Sequence, residues 1–177
     1  MSAGPSKILV ANRGEIACRV FKTLRELGIS SVAVHSDVDA EALHVGLADE
    51  AIGLGEPRSY LNIGRIIDAA RKTGAEAIHP GYGFLSENPA FSAACRDAGI
   101  VFLGPTPEAI EAFGNKRSAR TLAQKIGVPV IPGAQACDTI AEAQGVADSI
   151  GYPVLLKAAA GGGGKGMRRV AAVQDLA

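Results

Sequence analysis

The 177 residues carry 18 basic and 18 acidic side chains and no formal net charge, so no overall field recruits nucleic acid or an anionic membrane surface. Hydrophobic residues make up 47% and aromatic ones only 5%, which suits an α/β protein with a real core, and no apolar run approaches the roughly 20 residues of a membrane-spanning helix. The opening residues lack the charged and apolar regions of a signal peptide, which makes the cytoplasm the expected compartment, and Cys18, Cys95 and Cys137 have no metal-ligand spacing and read as free thiols.

In chain order, residues 7–11 read as a buried strand. Residues 14–27 follow as a helix with Ile16, Ala17, Val20, Phe21, Leu24 and Leu27 on one face, stopped by Gly28. A second apolar strand over 31–35 completes a β-α-β opening, expected to be parallel. The turn Asn12-Arg13-Gly14-Glu15 lies at the carboxyl end of the first strand, where open α/β sheets place ligands, but its single glycine is equally that of an ordinary turn. Asp37 and Asp39 open a polar connection as helix caps or, less naturally, metal ligands, with residues 40–47 expected helical and 51–54 a strand.

The alternation continues with a helix over 62–73, Gly74, and a strand over 75–79. The loop His79-Pro80-Gly81-Tyr82-Gly83-Phe84-Leu85-Ser86-Glu87-Asn88 follows. Its glycines and proline make it rigid, and Asn88 and Pro89 suit the cap and first position of the next helix, on which Phe91, Ala94, Cys95 and Ala98 face inward. The pattern gathers His79, Tyr82, Ser86 and Glu87 at the carboxyl edge of the sheet, for binding or as packing residues of a strand end. A strand over 101–103 and a helix over 108–113 come next.

Gly114-Asn115-Lys116 opens a further helix with Ala119, Leu122, Ala123 and Ile126 on its inner face. A lysine in a first turn opposes the helix dipole, which makes Lys116 a candidate phosphate contact as well as a plain surface lysine. Thr139 and Glu142 form a capping-box pattern for a helix with Ile140, Ala143, Ala147 and Ile150 inward. The chain then runs through a strand ending in Lys157 into Gly161, Gly162, Gly163, Gly164, Lys165 and Gly166, and out through an extended segment from Met167. The spacing predicts a hairpin whose tip either is simply flexible or turns backbone N–H groups toward phosphate oxygens. It is not a Walker A loop, because Gly166 follows Lys165 where that loop needs Ser or Thr, nor a dinucleotide fingerprint, because no helix opens after the glycines.

Together these motifs resemble the N-terminal part of a biotin carboxylase, a member of the ATP-grasp superfamily. The resemblance runs through residues 7–17, 59–63, 79–88, 114–116 and 157–167, and the 79–88 loop is the stretch other ATP-grasp enzymes lack. It implies an α/β fold: a Rossmann-like preATP-grasp domain with a parallel sheet over 1–113, then the beginning of an incomplete ATP-grasp domain over 114–177. It further implies an enzyme that uses ATP and bicarbonate to make carboxyphosphate and carboxylates biotin on a carrier protein, for an acyl-CoA or pyruvate carboxylase. Lys116, Lys157, Gly161, Gly162, Gly163, Gly164, Lys165, Gly166 and Met167 resemble the ATP site. Tyr82 and Gly83 resemble the wall where biotin docks, with His79 and Glu87 shaping the loop.

The resemblance implies Mg2+ with ATP, a biotin carboxyl carrier protein or domain, a carboxyltransferase component and a homodimer as partners, and neither nucleic acid nor membrane. No metal ligand and no catalytic residue is expected within these residues, since the family's acidic metal ligands, bicarbonate arginine and base lie further along, so the stretch alone is expected to be inactive. Asn115 departs from the Asp of the usual Gly-Asp-Lys pattern and removes a charge beside Lys116. The other readings are a different ATP-grasp ligase, of carbamoyl-phosphate or purine-pathway type, and a non-catalytic assembly module.

Overall fold

A computed structural model describes residues 4–114, 116–134, 136–157 and 166–176, with the side chains of Lys116 and Arg117 left aside. The chain divides into two compact units, Met1–Asn115 and Lys116–Ala177. In the first, β1 (Lys7–Val10), β2 (Ser30–Ser36), β3 (Glu50–Gly55), β4 (Ala77–His79) and β5 (Val101–Phe102) form one sheet in the order β3-β2-β1-β4-β5. Every pairing in it is parallel. The crossovers carry α1 (Gly14–Glu26), the short α2 (Leu43–Leu47), α3 (Ile63–Thr73) and α4 (Pro89–Asp97), and α5 (Pro107–Gly114) closes the unit.

Alternation along β1 explains why both faces of the sheet are covered. Ile8 and Val10 pack with Ile16, Ala17, Val20, Phe21 and Leu24 of α1. Leu9 and Ala11 point the other way, into a core with Ile66, Ile67 and Ala70 of α3 and Phe91 and Cys95 of α4. Burial pushes the Cys95 thiol up to about 11, which leaves it an inert core group.

The helix ends follow their local chemistry. The Asn62 side chain accepts from Arg65 N at 3.0 Å, and Gly74 ends α3 in the left-handed region at φ 67°. The Asn88 side chain accepts from Ala90 N and Phe91 N at 2.9 and 3.2 Å ahead of Pro89.

Two expectations for this unit need correction. Helix α2 covers only Leu43–Leu47, and no side chain caps it. Asp39 is not a helix cap, because its carboxylate accepts hydrogen bonds from Ser36, Tyr60 and Arg13 instead.

In the second unit, α6 (Lys116–Lys125) and α7 (Ile140–Ile150) precede β6 (Val154–Lys157) and β7 (Met167–Val170), which pair antiparallel with Lys157 opposite Met167. Val154, Leu156 and Val170 pack with Ala143 and Ala147 of α7 and with Leu176. Here the expected inner faces are partly wrong: Ile126 is 61% exposed and Ile140 62%. The capping box is half formed, since Thr139 Oγ1 accepts from Glu142 N at 3.2 Å while Glu142 Oε2 accepts from Asp138 N rather than Thr139 N. No helix among the described residues is long and apolar enough to cross a membrane.

Phe91 is fully buried and meets Phe102 edge to face at 5.6 Å. Phe91→Ala is expected to destabilise the first unit by about 3–5 kcal/mol, read from the urea midpoint of unfolding.

Candidate functional site

The carboxyl ends of β1, β2 and β4 lie side by side, and each releases the chain into a turn bearing polar side chains. Asn12 follows β1, Asp39 follows β2, and the 79–88 loop follows β4. The sheet ladder extends past the strand ends, with Ala11 N donating to His79 O at 2.9 Å. Asn12, only 4% exposed, then donates its side-chain amide to Pro80 O at 2.9 Å and Tyr82 O at 2.8 Å. Gly81 lies between those two carbonyls at φ 66°, and a Cβ there would stand 2.7 Å from Asn12 Nδ2. Glycine is therefore required twice over, by conformation and by space.

His79 is half-buried at the strand end, and its Nδ1 accepts from Gly81 N at 3.0 Å. Burial holds its pKa below the ordinary value of 6.5, and the charge of Arg19 acts in the same direction. Nδ1 accepts a hydrogen bond only when unprotonated, so the neutral ring belongs to the native loop.

The Tyr82 ring is 61% exposed rather than a partly buried packing residue, and its hydroxyl donates to Glu15 Oε1. Gly83 accepts at its carbonyl from Ser86 N at 2.9 Å, which tightens the loop. Glu87 is exposed and makes no hydrogen bond or ion pair among the described residues. Phe84, at φ 44°, stacks on Tyr60 with ring centroids 5.1 Å apart.

Tyr60 is itself buried, and burial with its Asp39 bond pushes its pKa up to about 12. Burial works to raise the Asp39 pKa, but hydrogen bonds from Tyr60 and Ser36 and the Arg13 guanidinium at 2.9 Å outweigh it, and the carboxyl stays below its ordinary range. The loop is thus held from two sides, by Asn12 on its backbone and by the Asp39–Tyr60 pair beneath Phe84.

Three of these residues have no role that the sequence alone assigns. Asn12 and Glu15 belong to a weak turn signal, and Tyr60 to a motif without a function of its own. The partners of Asn12 and Glu15 lie 67 to 70 residues away, so spacing alone offers no way to find them.

In the second unit, the β6–β7 register puts Lys157, Met167, Leu155 and Arg169 on one face of the hairpin. All four are exposed, whereas the other face packs on α7. Gly166 turns the chain back into β7 at φ 76°. Lys116 is the first residue of α6. Gly161, Gly162, Gly163, Gly164 and Lys165 lie outside the described residues, as does Asn115. Among the described residues no group of three or more His, Cys, Asp or Glu gathers to hold a metal ion.

The class these features define is a doubly wound α/β unit with a shaped loop at its carboxyl edge, followed by a hairpin carrying a strand lysine. The sequence model of the biotin carboxylase N-terminal domain matches residues 5–110, and that of the carbamoyl-phosphate synthase L chain, ATP binding domain, matches 115–177. The chain belongs to the biotin carboxylase family.

A biotin carboxylase of Nostoc sp. is 56% identical over 93% of this chain and 38% of that protein. The propionyl-CoA carboxylase alpha chain of Ruegeria pomeroyi is 53% identical over 92% of this chain and 24% of that protein. The chain therefore spans well under half the length of these relatives. The crystal structure of the Campylobacter jejuni biotin carboxylase–β-γ-ATP complex superposes with a TM-score of 0.85 at 47% identity, covering 98% of this chain and 40% of that one. The biotin carboxylase domain dimer of Hydrogenobacter thermophilus 2-oxoglutarate carboxylase, solved with MgADP, ADP and bicarbonate, gives 0.82 at 48% identity over 99% and 39%.

Because His79 is held neutral in the folded state, the unfolded chain binds more protons near and below its ordinary pKa. Its contribution to stability is present above that value and is lost as pH falls through the lowered folded pKa. A His79→Gln variant is expected to show a flatter fall in urea midpoint between about pH 7.5 and about pH 5 than the parent.

Proposed function

We propose that these residues form part of an ATP-dependent biotin carboxylase, in which bicarbonate is phosphorylated by ATP and its carboxyl group then passes to a ureido nitrogen of biotin. In the first step the γ-phosphoryl group moves to bicarbonate and ADP departs. In the second the carboxyl carbon bonds to nitrogen, phosphate leaves, and the ureido proton is lost to a base outside this stretch. Family membership at 56% identity carries the reading, and the chemistry of the two loops supports it.

The exposed face of the hairpin offers the Lys157 ammonium beside Met167 and Leu155, a charge for phosphate next to apolar surface for a base. Lys116 is assigned to the same nucleotide, and Gly161, Gly162, Gly163, Gly164, Lys165 and Gly166 to the flap that covers its phosphates and keeps water from a labile intermediate. Magnesium, when bound with the nucleotide, neutralises developing phosphate charge; no residue of this stretch is assigned to it.

Tyr82 and Gly83 are assigned to the biotin side. The Tyr82 ring is exposed while its hydroxyl is tied to Glu15, which leaves a fixed aromatic surface for the flat ureido ring. His79 and Glu87 shape the loop, His79 through its bond to Gly81. The division at residue 113 or 114 separates the preATP-grasp domain from the start of the ATP-grasp domain. The partners that follow are a biotin carboxyl carrier protein or domain, a carboxyltransferase and a second copy, in the cytoplasm. An acyl-CoA is the favoured final acceptor, with pyruvate the other.

One observation favours a second ligase reading: the match of residues 115–177 to a carbamoyl-phosphate synthase ATP-binding domain. Steady-state ATP hydrolysis by the protein carrying this stretch separates the two. Bicarbonate-dependent turnover stimulated by free biotin supports the carboxylase, and ammonia-dependent turnover without biotin stimulation rejects it. Lys157→Gln is expected to raise the KM for ATP on the order of tenfold to a hundredfold, from the loss of one charge-assisted hydrogen bond, with the circular dichroism spectrum unchanged.

A further inference from the structure

We infer that Asn12 is a positioning residue for the biotin-facing loop, holding its backbone at Pro80 and Tyr82 with both hydrogens of one side-chain amide. The assignment of that loop to biotin rests on the function proposed above, whereas the clamp itself stands on geometry.

The two donor hydrogens of the amide go to Pro80 O at 2.9 Å and Tyr82 O at 2.8 Å, and its oxygen accepts from Arg13 N at 2.9 Å. A buried amide with both hydrogens committed is fixed in orientation. It needs to be, because the loop it holds is not one the chain adopts unaided. Gly81, Gly83 and Phe84 all have positive φ, of 66°, 64° and 44°. Backbone of that kind persists only where its surroundings over-determine it.

The position is chemically narrow. Aspartate has the same shape but presents only acceptors to two carbonyl oxygens. Glutamine adds a methylene toward the space where Gly81 already leaves 2.7 Å between its absent Cβ and Nδ2. Leucine leaves both carbonyls without a donor. Glu15, three residues on and in the first turn of α1, takes the Tyr82 hydroxyl. The turn after β1 therefore sets both the backbone and the ring of Tyr82, although it lies far from Tyr82 in sequence.

The test uses the protein carrying this stretch and two separate variants, Asn12→Asp and Gly81→Ala. Each is expected to raise the apparent KM for free biotin on the order of tenfold while the KM for ATP stays within about twofold, because only the biotin-side loop is displaced. Amide exchange over residues 81–86 is expected to accelerate, with thermal unfolding still cooperative.

An unchanged biotin KM, or biotin and ATP constants moving together, overturns the positioning role. Loss of cooperative unfolding in both variants also overturns it, making Asn12 a folding requirement. A parent protein showing no biotin stimulation defeats the proposed function instead. In that case faster exchange over 81–86 still supports the clamp, and unchanged exchange overturns it.

Discussion

The parallel pairing of β1 between β2 and β4 is the constraint on which the first unit depends. A central strand hydrogen-bonded on both sides and buried on both faces leaves no freedom of register, because a slip of one residue would exchange Ile8 and Val10 with Leu9. Parallel pairing also sends every carboxyl end to the same edge. Asn12, Asp39 and the 79–88 loop meet there because three strand ends must.

What happens at that edge is settled by polar groups taken out of water. A buried amide or carboxylate without partners is costly, and each one here is matched. Asn12 spends its hydrogens on the loop after β4. Asp39 collects donors from the end of β2, from Tyr60 and from Arg13, and Tyr60 in turn carries Phe84. These contacts explain how a loop with three left-handed residues is rigid. Such a surface can present an exposed tyrosine in one orientation, and a ligand then meets it without first ordering it.

The hairpin unit uses a different logic. Its antiparallel register divides the side chains by face, so that Val154, Leu156 and Val170 supply packing against α7 while Lys157 and Met167 remain exposed together. Charge and apolar surface are adjacent because they are cross-strand neighbours. The same exposure extends to Ile126 and Ile140, whose helices bury less than their periodicity suggests. Periodicity reports an apolar face, and only a neighbouring element buries it.

The sequence by itself determined the alternation of strands and helices, the two-sided burial of the sheet, the caps at Asn62 and Asn88, the stop at Gly74 and the strand–lysine–glycine–strand order of the hairpin. Each is local chemistry, a matter of period, φ preference or a side chain reaching two or three residues along. The resemblance carried by the 79–88 loop and the glycine run pointed to the right family for the same reason, since both motifs are contiguous. Only the tertiary structure decided that Asn12 clamps Pro80 and Tyr82, that Glu15 holds the Tyr82 hydroxyl, and that Asp39 serves Tyr60 and Arg13 rather than a helix end. Those partners are brought together by strand order, and a hydrogen bond spanning 70 residues has no periodic trace in the chain that makes it.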